Sequence, residues 1–159
     1  SGMAWLAQGD AGLTAGRSPA VLRSGERISI GPLLCYEVLF PSVARRQVED
    51  GATLLVNLSN DAWFAGSGGA EQHFAAAVVL AATLGRPLLR ATPSGVTAAV
   101  AASGRVAARL PADRPGALVV DVTPSHARTP ASRTGDAPAW IALAVAALWT
   151  GAAAAGRWA

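Results

Sequence analysis

Cys35 is the only cysteine in the 159-residue sequence, and it stands where an apolar run stops: Gly31-Pro32-Leu33-Leu34-Cys35-Tyr36-Glu37-Val38-Leu39-Phe40-Pro41. A thiol attacks as its thiolate, so a nucleophilic cysteine needs a base or a cation beside it. It also needs a backbone that lifts the sulfur out of the core, which a strand ending in a sharp turn provides. The other role open to Cys35 is that of a buried structural residue, because free cysteine is among the most buried types. A second stretch with chemical potential is Ser59-Asn60-Asp61-Ala62-Trp63-Phe64-Ala65-Gly66-Ser67-Gly68-Gly69. Asn60 and Asp61 suit a turn, and Trp63-Phe64 are either a core pair or an apolar surface beside a site. His73 reads as a structural hydrogen-bonder. No metal-ligand spacing surrounds His73 or His126, so neither a metal nor a cofactor is expected.

The surrounding pattern supplies the elements that would hold these stretches. Arg27 to Leu34 reads as a strand, with Pro32 implying an edge or a distortion there because it has no N–H to donate. Pro41 to Asp50 reads as a helix, with Pro41 at its first position and Gly51 after its end. Val43 and Val48 would face the core, and Arg45, Arg46, Gln47 and Glu49 the solvent. Thr53 to Leu58 is a short apolar run, as in a strand buried on both faces. Strand, helix and strand with short joints make a βαβ unit, which implies parallel pairing. Ligands in such sheets gather at the strands' C-terminal ends, so the Cys35 turn and the 59–69 loop should lie side by side. Glu71 to Leu84 reads as a helix stopped by Gly85. Leu88 to Ala91, Val96 to Ala101, Arg105 to Leu110 and Ala117 to Val122 read as strands continuing the sheet as a meander.

Composition narrows the function. Hydrophobic residues make up 52% and charged residues 14%, against about 25% charged in ordinary soluble domains. The net charge of +3 comes from arginines alone, scattered along the chain with Arg45-Arg46 the one adjacent pair. There is no basic stripe interleaved with aromatics, so nucleic acid is not an expected partner. A high pI suits a protein beside a membrane. The sequence opens at Ser1 without a signal-peptide pattern and reads as starting partway through a longer protein. Residues 1–25 look like a connector, 26–123 like a folded unit, and the polar, proline-rich 124–138 like a linker.

Residues 139–157 end the chain with an apolar helix. Its continuous run from Ala139 to Ala155, about 17 residues, sits at the lower limit for crossing a bilayer. Trp140 at one end and Arg157 with Trp158 at the other resemble interfacial anchors. A transmembrane helix is therefore expected, with the C-terminus cytoplasmic and the globular part on the outer side.

Taken together, the motifs resemble the C-terminal part of bacterial apolipoprotein N-acyltransferases, inner-membrane enzymes of the nitrilase (carbon–nitrogen hydrolase) superfamily. The resemblance rests on Leu34-Cys35-Tyr36-Glu37-Val38-Leu39-Phe40, on Leu55-Val56-Asn57-Leu58-Ser59-Asn60-Asp61-Ala62-Trp63-Phe64, and on Gln72-His73-Phe74. It continues in Gly85-Arg86-Pro87-Leu88-Leu89-Arg90-Ala91-Thr92, Gly95-Val96-Thr97-Ala98 and Arg133-Thr134-Gly135-Asp136. It implies an α/β fold: the C-terminal half of an α-β-β-α sandwich followed by one transmembrane helix. It implies a Glu-Lys-Cys triad in which Cys35 takes an acyl chain from a phospholipid as a thioester. The chain then passes to the N-terminal amine of a lipid-modified apolipoprotein. Tyr36 and Glu37 match positions that flank and support the nucleophile. Trp63 and Phe64 would offer apolar surface near the acyl-chain entrance. The implied location is the bacterial inner membrane, globular part on the periplasmic side.

The sequence also departs from the family pattern. The family's Glu and Lys lie upstream of the cysteine, and this sequence contains no lysine. These residues alone are therefore expected to be inactive, and half a sandwich to be poorly stable by itself. Val78, Leu80 and Thr83 stand where the family carries two arginines and a glutamate, Pro93 where it has an asparagine, and Ala131 where it has a tyrosine. These losses motivate a second reading, a catalytically degenerate, membrane-tethered binding or assembly module; a third is a nitrilase-type amidase, against which the terminal apolar helix and the Trp63-Phe64 loop speak.

Overall fold

The computed structural model describes residues 20–110 and 115–155, with side chains as far as Gly151. One mixed sheet of six strands organises the chain, in the order β1-β2-β3-β4-β5-β6. The strands are β1 (Leu22–Ser24), β2 (Ile28–Leu34), β3 (Leu54–Leu58), β4 (Leu88–Ala91), β5 (Ala98–Val100) and β6 (Val106–Arg109). β2, β3 and β4 are parallel, and the outer pairs are antiparallel. The βαβ reading thus matches the order of elements, with α1 (Pro41–Glu49) joining β2 to β3 and α2 (Gly69–Leu84) joining β3 to β4. Two further helices follow, α3 (Pro130–Thr134) and α4 (Ala137–Ala155).

Alternation along the strands assigns the two faces. Leu33, Leu55, Leu88, Ala98 and Val100 point to one side and pack with Phe74, Ala77, Leu80, Ala81 and Leu84 of α2. α2 ends at Gly85, whose φ of 63° is the left-handed conformation that glycine adopts without a Cβ penalty. The opposite face is only partly covered: Leu34 is 62% and Leu58 51% exposed. Pro32 lies beyond the stretch of β2 that pairs with β1, so its missing N–H breaks no ladder on that side. Its carbonyl instead accepts from Gln47 Nε2 at 2.7 Å.

Several expectations are corrected here. Gln47 is buried rather than solvated, because α1 turns it toward the Pro32 carbonyl. Residues 117–122 are not a buried strand. They run irregularly, with Val119 94% exposed, and cross the open sheet face rather than extend its edge. There they line a groove of about 810 Å³ with Val56, Leu58 and Leu89. Apolar content alone does not distinguish such a strap from a strand. Leu22–Ser24, inside the expected connector, forms β1 by pairing Leu22 with Ile30. The remainder of that connector, up to residue 19, lies outside the described residues, as do Arg157 and Trp158.

α3 occupies part of the expected linker, capped by Thr129, whose hydroxyl accepts from Ser132 N at 3.0 Å. α4 spans 19 residues, and its side chains from Ala137 to Gly151 are all exposed. Among the described residues, no helix is long and apolar enough to cross a membrane.

A candidate nucleophile on a strained turn

β2 ends at Leu34, and Cys35 opens a single 3₁₀ turn, Cys35–Leu39. Its φ of +47° is the one positive value at a non-glycine position among the described residues. Left-handed backbone costs a Cβ-bearing residue about 1–3 kcal/mol and is found preferentially at functional sites. Glu37 closes the turn: its Oε2 accepts from the Leu34 N–H at 2.7 Å. Cys35 is half-buried and unpaired with any other thiol.

β3 delivers the next residues. Asn57, fully buried, donates from Nδ2 to the carbonyls of Leu33 at 3.0 Å and Cys35 at 3.3 Å. It thereby ties the end of β2 to β3 immediately at the strained residue. Ser59 Oγ lies 3.5 Å from Cys35 Sγ and 2.7 Å from Asp61 Oδ1. A serine has one proton, and an ionised carboxylate can only accept. Ser59 therefore donates to Asp61 and presents a lone pair to the Cys35 thiol.

Behind this first layer is a buried ionic cluster. Arg90 of β4 bonds Asn57 Oδ1 through Nη1 and Asp61 Oδ2 through Nη2, the latter at 2.7 Å. Neither the Arg90 nor the Asp61 side chain is exposed at all. His73 of α2 places Nδ1 3.0 Å from Asp61 Oδ1 and 3.0 Å from Arg90 Nη2. Arginine can only donate and the carboxylate can only accept, so Nδ1 serves one of them at a time: protonated it donates to Asp61, unprotonated it accepts from Arg90. One helix, two strand ends and one loop thus meet on Asp61. The loop 92–97 adds backbone support, since Asp61 N donates to Ser94 O at 3.1 Å. Gly95, at φ +114°, presses on the same carboxylate residue. A Cβ there would come within 2.7 Å of Asp61 Cβ, so only glycine fits.

Burial opposes ionisation of Asp61. The hydrogen bonds from Ser59, Arg90 and His73 and the charge of Arg90 outweigh it, and its pKa lies below the ordinary carboxylate value. A carboxylate whose pKa is depressed in the folded state adds stability above its unfolded pKa, and that stability is lost as pH falls through the folded value. Asp61→Asn is therefore expected to lower the urea midpoint at neutral pH. The gap to the unaltered protein should narrow below about pH 4, where unfolded aspartate protonates. A gap that stays constant into acid contradicts this assignment.

Tyr36 extends from the turn and stacks at a tilt on His73, ring centroids 5.3 Å apart. Phe64 closes edge-on at 6.2 Å from Tyr36 and 5.9 Å from His73. Of the residues singled out in the sequence, Cys35, Tyr36, Glu37 and Phe64 are thus gathered in one place. Trp63 is not: it is 85% exposed, and none of the aromatic pairs among the described residues includes it. The sequence assigns no role to Asn57, Ser59 or Arg90, and to Asp61 only that of a turn residue. Their signal was polarity inside or at the end of apolar strands, which demands buried partners.

The departures at α2 are accommodated by packing. Leu80 is 2% exposed in the core, Val78 packs against that core, and the Thr83 carbonyl accepts from the Thr129 hydroxyl.

The arrangement can present a thiol and hold its turn rigidly. It has no lysine, and among the described residues Ser59 is the one polar side chain found against the sulfur.

The carbon-nitrogen hydrolase family model matches residues 9–130. The apolipoprotein N-acyltransferase of Vibrio cholerae is 43% identical over 119 residues, covering 73% of this chain and 24% of that protein. That of Bordetella bronchiseptica is 39% identical over 155 residues, covering 94% and 28%. Among solved structures, an amidase variant from Nesterenkonia sp. AN1, captured after Michael addition of acrylamide at its active-site cysteine, aligns with a TM-score of 0.57 at 27% identity. That alignment covers 70% of this chain and 45% of the amidase. The chain thus spans about a quarter of the length of the curated relatives it matches.

Proposed function

The chain belongs to the carbon-nitrogen hydrolase family, and from that premise we propose that it is the C-terminal part of an apolipoprotein N-acyltransferase with Cys35 as the nucleophile. The observation that carries this reading is Cys35 itself, a half-buried thiol on a left-handed turn at the end of a parallel strand. Structural cysteines have no need of such backbone strain. The Cys35 thiolate attacks an acyl ester of a phospholipid, forming a thioester and releasing the lyso-lipid. The α-amine of a lipid-modified apolipoprotein then attacks the thioester, the amide forms, and the thiol is regenerated.

Within the chain each residue has a bounded task. Glu37 and Asn57 hold the turn, and Arg90, Asp61 and His73 hold Asn57 and Ser59. Tyr36 and Phe64 form an aromatic wall beside the thiol, and the exposed Trp63 offers apolar surface to an acyl chain or the bilayer. The general base and the cation that stabilises the tetrahedral oxyanion come from outside these residues.

A nitrilase-type half-sandwich accounts for the one-sided packing of the sheet. The open face carrying Leu34, Val56 and Leu58 is then where the other half seats. α4, apolar and exposed on all sides from Ala137 to Gly151, is read as a membrane anchor at the inner membrane. The globular part is placed on the periplasmic side by the same reading.

The test is transfer by the full-length protein. Detergent-solubilised enzyme, given a phospholipid and a peptide with a diacylglyceryl-modified N-terminal cysteine, should add one acyl mass to that peptide's amine. No transfer to the peptide, with turnover of small amides instead, would favour the amidase reading.

A further inference from the structure

A second cavity, of about 610 Å³, lies where the C-terminal end of α1 meets the α2–β4 joint and the segment leading into α3. Its charged and polar lining is Arg86, Arg128, Arg133, His126, Ser132 and Glu49. The acid in it, Glu49, has its side chain 61% exposed and lies 3.9 Å from Arg45 Nε, one helical turn away. None of the three arginines has a carboxylate partner among the described residues.

Arg86 is the most informative of them. It is 5% exposed, and its hydrogen bonds run only to carbonyls: Nε to Ala52 at 2.7 Å, and Nη1 to Leu84 at 3.4 Å, Gly85 at 3.1 Å and Ala127 at 2.5 Å. Burial, and after it the charge of Arg128, hold its guanidinium below the ordinary arginine value. A buried guanidinium with a second cation beside it and no carboxylate paired to it is an arrangement that an anionic ligand would relieve.

We propose that this cavity binds a phosphate group, with the exposed Arg128 and Arg133 as its clamps and the buried Arg86 as its floor. Arginine suits this role because its planar fork donates two parallel hydrogen bonds to phosphate oxygens. The cavity sits at the N-terminal ends of the parallel strands, whereas Cys35 sits at their C-terminal ends. β3 alone, five residues long, separates the two by about 17 Å. A phosphate held here is therefore not the headgroup of the lipid whose ester reacts at Cys35. Arg133 precedes the start of α4 by four residues, so it lies within about 14 Å of that helix. If α4 is a membrane anchor, a phospholipid headgroup is the nearest source, and on this point alone the proposal rests on the reading above. Free inorganic phosphate is the other source of the same chemistry.

The experiment is a titration of the full-length protein in detergent with phosphatidylglycerol, read by native mass spectrometry. The unaltered protein should retain a bound lipid that Arg128→Glu/Arg133→Glu binds at least about tenfold more weakly. Arg27→Glu/Arg105→Glu, the same change of charge at exposed positions elsewhere, should bind as the unaltered protein does. Arg128→Gln/Arg133→Gln, which introduces no new charge, should show the same direction with a smaller loss, and thermal melts check that each variant is folded. Equal retention by the folded Arg128/Arg133 variants overturns the proposal. Inorganic phosphate in excess separates the sources: displacement of the lipid means that the phosphate group alone is recognised, and persistence means that the whole headgroup at a membrane is. Acylation of Cys35 is followed in the same samples and should persist in Arg128→Glu/Arg133→Glu. Absence of acylation in the unaltered protein would sink the acyltransferase reading without touching the phosphate site.

Discussion

Cys35→Ala in the full-length protein is expected to reduce acyl transfer by on the order of 10³-fold or more, because no other thiol exists in this chain to carry the acyl group. Stability should hardly change, since the side chain is small and only half-buried. Cys35→Gly sharpens the test. Glycine takes a φ of +47° without a Cβ clash, so this variant should be equally inactive yet about 1 kcal/mol more stable than the parent. A cysteine retained for packing behaves in the opposite way: the glycine variant would lose stability, and transfer would survive in both.

Arg90→Met carries the second large effect. The arginine and Asp61 are both fully buried, and the substitution leaves the carboxylate without its counter-charge. Breaking one side of a buried pair costs about 3–5 kcal/mol, a large share of the roughly 5–15 kcal/mol that holds a domain together. It also releases Asn57, which ties the Cys35 and Leu33 carbonyls together. Transfer should therefore fall along with stability. Adding Asp61→Asn removes the stranded charge, so the double variant should be more stable than Arg90→Met alone, a coupling that a double-mutant cycle measures directly. Strictly additive losses would mean that the two residues do not form one unit.

The sequence made the parallel centre of the sheet legible, and physical reasons explain where that legibility stopped. Pro41 and Gly51 bracket α1, and the short apolar run at 54–58 is β3, because caps and continuous apolarity are local signals. The 117–122 run was misread for the same reason. Its valines satisfy a strand pattern, but whether they extend the sheet or cross its face is a tertiary outcome. β1 was missed because three exposed residues carry no periodicity. In the site, Cys35 stood out by being single and at the end of an apolar run. The cluster behind it did not, since Asn57, Asp61, His73 and Arg90 are spread over 34 positions and converge only when the strands align. An arginine in the buried strand at 88–91 was the clue, because a charge there requires a partner. Gln47 teaches the same lesson in the other direction: a polar helix residue was assigned to solvent, although a proline carbonyl at the sheet edge needed a donor.

The central claim is that Cys35 carries the acyl chain. The most direct measurement is intact-mass analysis of the full-length protein after incubation with phospholipid and no acceptor, followed by peptide mapping and neutral hydroxylamine. The account predicts one added acyl mass on the peptide containing Cys35, removed by hydroxylamine as a thioester must be, and discharged when the lipopeptide acceptor is supplied. An enzyme that transfers acyl chains while Cys35 stays unmodified, or an acyl mass that resists hydroxylamine, would contradict it.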